Sequence, residues 1–120
     1  MTTDQVAKRL VELCRKGDYE KAQKELFDDS AVSIESEASP AFPKETKGLK
    51  AIIEKGHKFE SMVEKVHSTA VTEPLVADHA IAFEMEMDIT MKEKGRSKMK
   101  ELCVYKVNKE GKIVSEHFFN

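Results

Sequence analysis

Between Ile81 and Met91 apolar and polar residues alternate almost without error: Ile-Ala-Phe-Glu-Met-Glu-Met-Asp-Ile-Thr-Met. Drawn out as a strand, this segment has one apolar face and one carboxylate-rich face. The pattern predicts a strand over Ala80 to Lys92, followed by Lys98 to Val107 folded back across a Glu93-Lys94-Gly95-Arg96-Ser97 loop. Ile113 to Phe119 then returns through an Asn108-Lys109-Glu110-Gly111 turn suited to a hairpin. Met62 to Leu75 reads as a further strand, and Ser30 to Ser36 as a short one. Elsewhere the period is that of a helix. Val6, Leu10, Leu13 and Cys14 share a face behind the caps Thr3 and Asp4, with Gly17 as the stop. Asp18 caps a second helix through Tyr19, Ala22 and Leu26. Gly48 opens a third, with Leu49, Ile52, Ile53, Gly56 and Phe59 as its stripe. The segment Ala38 to Pro43 contains two prolines and reads as an irregular loop carrying Phe42.

Three helices ahead of an antiparallel meander is an α+β order, with the helices covering one face of the sheet. At 120 residues the chain is expected to be a single domain, residues 1–120, with one core. Its 20 basic and 22 acidic residues give a net charge of −2, which supplies no global field toward nucleic acid or anionic lipid. The start resembles no signal peptide and no apolar run is long enough to span a bilayer, so a cytoplasmic, soluble protein is expected. Cys14 and Cys103 lie among apolar neighbours and read as reduced, packed thiols.

The order and spacing of three motifs resemble the SnoaL-like branch of the NTF2-like superfamily. They are Lys16-Gly17-Asp18-Tyr19-Glu20, Thr46-Lys47-Gly48-Leu49-Lys50-Ala51-Ile52, and Cys103-Val104-Tyr105-Lys106-Val107 followed by Gly111-Lys112-Ile113-Val114-Ser115-Glu116. The resemblance covers essentially the whole chain. It implies a cone, with the three helices packed on a strongly curved, mostly antiparallel sheet and a pocket between them. It also implies a homodimer through the outer sheet face, where Leu102, Val104 and either Phe118 or Val71 would form the apolar patch. Members include isomerases, dehydratases, polyketide cyclases and non-catalytic binders, so fold alone names no reaction.

Pairing Met91 with Met99 puts Ile89 opposite Glu101, Met87 opposite Cys103, Met85 opposite Tyr105 and Phe83 opposite Val107. Glu84 then meets Lys106 on the other side. Glu101 becomes the one carboxylate on a methionine-rich face, where a raised pKa suits it to general acid or base chemistry; rim solvation is the plainer alternative. A three-residue final turn with Gly111 left-handed, the closure its glycine favours, brings His117 in beside Glu101. A four-residue turn brings Glu116 and Phe118 in and sends His117 out. Tyr105 shares the face either way and is placed to donate to an oxyanion, as a tyrosine does in ketosteroid isomerase. The candidate catalytic residues are therefore Glu101, His117 and Tyr105, and the candidate ligand-lining residues Phe83, Met85, Met87, Cys103, Phe59 and Phe42.

No cofactor or metal is expected. Glu54-Lys55-Gly56-His57 has a Glu-x-x-His spacing that di-iron bundles use twice, and here it occurs once. The histidines His57, His67, His79 and His117 have no short ligand spacing. Lys92, Lys94, Arg96, Lys98 and Lys100 read as a solvated hairpin tip, interrupted by Glu93 and lacking stacking aromatics. The expected activity is cofactor-free proton transfer of the isomerase or cyclase kind on a small apolar molecule. The alternative is a non-catalytic ligand-binding or protein-interaction module.

Overall fold

In the computed structural model, which describes residues 1–120, the first cap sits one residue earlier than the pattern predicts. Thr2 caps α1 (Thr3–Arg15): its hydroxyl accepts from the Gln5 amide at 3.2 Å, and the Gln5 side chain accepts from the Thr2 amide at 2.9 Å. This reciprocal pair satisfies two amides that the helix leaves free. α1 buries Val6, Ala7, Leu10, Val11, Leu13 and Cys14. α2 (Tyr19–Leu26) buries Ala22 and Leu26 and runs straight into β1 (Phe27–Ile34). A short β2 (Glu45–Lys47), which carries no alternating signal, precedes α3 (Leu49–Met62).

The remaining strands are β3 (Val63–Val71), β4 (Leu75–Val76), β5 (Ala80–Met91), β6 (Gly95–Val107) and β7 (Ile113–Phe119). The expected Met62 to Leu75 strand is thus cut at Val71. Pro74 has no amide to donate to a ladder, and the chain resumes as β4 on the other end of β5. The sheet order is β2-β1-β7-β6-β5-β3, antiparallel throughout except where β1 runs parallel to β7. Irregularities in β1, β3 and the β6–β7 pair bend it into a curved, open sheet. No helix is long and apolar enough to cross a membrane.

Two registers place the inner face. On β5 and β6, Met91 pairs with Gly95 rather than with Met99, so Met85 lies opposite Glu101, Met87 opposite Met99 and Phe83 opposite Cys103. The slip from expectation is an even number of residues, so every side chain keeps its predicted face. Charge explains the choice: Glu86 meets Lys100, Asp88 meets Lys98, and Arg96 grips Asp88 through bonds of 3.0 and 2.9 Å. Gly95, at φ 78, then closes a shorter loop.

The last hairpin closes as the glycine predicts. Gly111 has φ 79 and the Asn108 amide donates to the Lys112 carbonyl at 2.8 Å. Val107 accordingly pairs with Ile113, but Lys106 pairs with Ser115, leaving Val114 as an extra residue on β7. That bulge reverses the parity of the strand. Tyr105 now faces Glu116, Cys103 faces Phe118 and Val104 faces His117. The turn expectation was right and the inference drawn from it was not: His117 belongs to the outer face, stacked on Phe119 with ring centroids 4.0 Å apart.

Phe118 and Val71 likewise leave the expected outer patch, because both pack against the core. The outer face instead joins Leu102 to Phe119, directly paired and 46% and 42% exposed. The core proper lies between α1 and the inner face and includes Ile81, Phe83, Cys103, Tyr105, Val107 and Ile113.

Gly111 also bears on the start of the chain, since a Cβ there would meet the Met1 backbone carbonyl. Gly17 has a similar φ but open space around it. Gly111→Ala is therefore expected to cost more than Gly17→Ala, about 2 against about 1 kcal/mol in urea unfolding.

Candidate functional site

The three helices cover the inner face unequally. α1 lies flat on the sheet, whereas α3 buries only Ile52 and stands away from β5 and β6. The gap is a cavity of about 790 Å³ between α2, α3 and the concave sheet. Its walls are largely apolar, including Met85, Met87, Met99, Phe27, Phe59 and Phe118. Phe42 reaches it from the proline-containing loop, held there by the Lys58 ammonium 5.3 Å from its ring centroid. The Tyr19 hydroxyl approaches the sulfurs of Met85 and Met87 at 3.9 and 4.0 Å.

Of the candidate residues, Glu101, Tyr105, Met85, Met87, Phe59 and Phe42 line this cavity. Phe83 and Cys103 do not. Both are buried in the core behind its wall, Phe83 stacked on the Tyr105 ring at 5.4 Å and Cys103 fully covered. They have the right parity for the inner face, but the helical layer fills the space in front of them. His117 is absent from the lining for the reason already given, and Glu116 takes its place.

Depth along β6 orders the polar groups. Met99 is at the exposed rim, Glu101 is partly buried, and Tyr105 lies at the floor with 4% of its surface exposed. Directly across from Tyr105 is Glu116, 5% exposed, and across from Glu116 on β1 is Ser33, fully buried. The Ser33 hydroxyl accepts from Lys55 Nζ at 2.6 Å and offers its own proton toward Glu116. Lys55 also donates to Glu35 at 2.9 Å and lies 5.8 Å from the Phe118 ring centroid. One lysine thus serves a region with three carboxyl groups, Glu35, Glu101 and Glu116.

Burial governs protonation here, and the neighbouring charges modify it. Burial pushes the Glu101 carboxyl up to about 7, reinforced by the charges of Glu35 and Glu116 and opposed by Lys55 and the Cys103 thiol, 3.9 Å away. Burial likewise carries Glu116 to about 7, against the hydrogen bond from Ser33 and the charge of Lys55. The Tyr105 phenol is raised well above its ordinary range by burial and stays protonated. Its hydroxyl meets no oxygen or nitrogen partner in the chain, only the Cys103 thiol. The arrangement can therefore take up and release a proton near neutrality at Glu101 and donate a hydrogen bond from Tyr105. The carboxyls do not converge into a group of three metal-ligating side chains.

Lys55, Glu35 and Ser33 were not identified from the sequence. The signal was present, since Lys55 falls between Ile52 and Phe59 on the apolar stripe of α3, and Ser33 and Glu35 alternate with buried Ala31. Charge on an apolar stripe marks a side chain directed inward.

A model of the SnoaL-like domain matches residues 1–120. No curated protein matches the sequence. Among solved structures, a Mesorhizobium loti protein described as a candidate SnoaL-like polyketide cyclase is 30% identical over 100% of both chains, with a TM-score of 0.91. An NTF2-like protein from Burkholderia pseudomallei has a TM-score of 0.78 at 11% identity, covering 98% of this chain and 88% of its own. Rv0760c from Mycobacterium tuberculosis, solved in complex with estradiol-17β-hemisuccinate, has a TM-score of 0.72 at 17% identity, covering 100% and 95%.

A carboxyl raised from 4.5 to about 7 keeps its proton in the folded chain where the unfolded chain has lost it. Its burial therefore costs little at pH 4.5, costs progressively more as pH rises to about 7, and a constant amount above. Glu116→Gln removes that cost while keeping an acceptor for Ser33. It is expected to be more stable than the native sequence by on the order of 3 kcal/mol at pH 8, with the difference vanishing near pH 4.5 in urea unfolding.

Proposed function

The chain belongs to the SnoaL-like domain family, and on that premise we propose that its cavity binds a small, largely apolar molecule on which Glu101 moves a proton without a cofactor. The observation that carries this reading is a carboxyl titrating at about 7 partway down an apolar cavity. Near neutrality such a group exists in both forms, so it can remove a proton beside a carbonyl and return it to another atom. As that proton leaves, charge grows on the carbonyl oxygen. The Tyr105 hydroxyl, protonated at the floor, would donate to it. The methionines and the rings of Phe42, Phe59 and Phe118 suit a flat skeleton and exclude water from the reacting atoms. This is the chemistry of a cofactor-free isomerase or cyclase. Rv0760c was solved with estradiol-17β-hemisuccinate; at 17% identity that likeness extends to this chain as a fold alone.

For the outer face we propose self-association of two copies over the Leu102 and Phe119 pair, an exposed apolar strip on the side of the sheet away from the cavity. Leu102→Glu is expected to convert a dimer to a monomer in sedimentation velocity while leaving the fold unchanged.

Proton exchange tests the central reading. In deuterated buffer the protein is expected to accelerate α-deuteration of 2-tetralone, an enolisable apolar ketone, with a rate that rises as pH passes about 7. Glu101→Gln should lose about 10²–10⁴-fold of that acceleration, and Tyr105→Phe about 10²-fold. Binding without exchange would assign the cavity to binding alone, and exchange that survives Glu101→Gln would remove Glu101 as the base.

A further inference from the structure

The floor of the site sets one lysine among three carboxyl groups, Glu35, Glu101 and Glu116. Lys55 is held by Glu35 at 2.9 Å and by Ser33 at 2.6 Å. Lys55 is the cation whose charge acts on both Glu101 on β6 and Glu116 on β7. The cavity's outer lining also carries Arg15, Lys16, His57 and Lys65 with Glu20, Glu60 and Glu64, all but Glu20 exposed to solvent. The titratable groups nearer the floor are the Cys14 thiol on α1, the Tyr19 phenol on α2, and Cys103 and Tyr105 on β6. All four carry protons at neutral pH and contribute no compensating charge. The surrounding surface is suited to a cation, with the aromatic residues Phe118, Phe27 and Tyr105 and three methionines in the lining and Lys55 already over the Phe118 ring. Tyr105, nine-tenths buried, lines the same end of the cavity, and its hydroxyl has no oxygen or nitrogen partner there.

We propose that the molecule taken by this cavity carries a protonated amine, which seats against Glu116 at the floor while its apolar body lies along Met85, Met87 and Phe59. The inference rests on the proposed ligand cavity and names the ligand's charge. It also links binding to chemistry. An ammonium beside Glu116 favours that carboxylate and offsets the charge Glu116 would otherwise set against Glu101, which leaves Glu101 freer to ionise and accept a proton. A ligand carboxylate would face three acidic side chains and be disfavoured.

Three probes with one skeleton test this by titration calorimetry: 4-phenylbutan-1-amine, 4-phenylbutan-1-ol and 4-phenylbutanoate. At pH 8 the amine is expected to bind about tenfold tighter than the alcohol, and the carboxylate weakest. At pH 6.5, comparison of phosphate with ACES buffer should show the amine releasing about one proton on binding and the alcohol none. Glu116→Gln should abolish the amine's advantage while the alcohol binds as before, which also reports that the cavity is intact. Equal binding of amine and alcohol without proton release, tightest binding by the carboxylate, or an amine preference that survives Glu116→Gln would overturn the charge assignment and leave the cavity reading standing. Failure of all three probes to bind would overturn both.

Discussion

One unpaired residue on the last strand decides which chemistry this cone contains. Val114 has no partner of its own on β6, and the half-turn it introduces points Glu116 and Phe118 inward and His117 outward. Without it the floor would present a histidine next to Tyr105's strand, a group that gains charge by taking up a proton. With it the floor presents a carboxyl, which gains charge by losing one. Burial acts in opposite directions on those two groups, so a single backbone irregularity sets the sign of the site's electrostatics.

The cavity itself follows from a division of labour among helices. α1 spends its apolar face on the sheet and stabilises the closed end of the fold, with six buried residues in thirteen. α3 has a mixed stripe, in which Lys55 replaces an apolar residue between Ile52 and Phe59, and it does not close down. A lysine there is satisfied only by reaching Ser33 and Glu35 on the β1 side, which ties α3 to one flank and leaves the opposite flank unfilled. The salt bridge is better understood as a strut that fixes the position of α3 than as a source of much net stability, because desolvating both partners offsets most of their attraction.

Much of this was legible from residue pattern. The alternation of Ile81 to Met91 gave the inner face of β5 correctly, and the even register slip on β6 preserved it, so Glu101, Tyr105, Met85 and Met87 fell where the pattern put them. The left-handed Gly111 was also legible. The bulge one residue beyond the turn was not, because it arises where β7 must serve both an antiparallel partner in β6 and a parallel partner in β1, a constraint set by distant segments. Phe83 and Cys103 show a second limit. Parity tells which face a side chain occupies, but only the packing of α1 tells whether that face is core or cavity. β2 and the α3 strut depend on the same long-range docking, and local sequence carries little of it.

The two thiols, both completely or nearly covered, have a consequence of their own. Burial lifts Cys14 to about 12 and Cys103 higher still, so neither reacts as a thiolate while the layers stay together. Alkylation can then proceed only through moments when the helical layer parts from the sheet. Its rate is a native clock of that breathing, kept by residues on both sides of the seam.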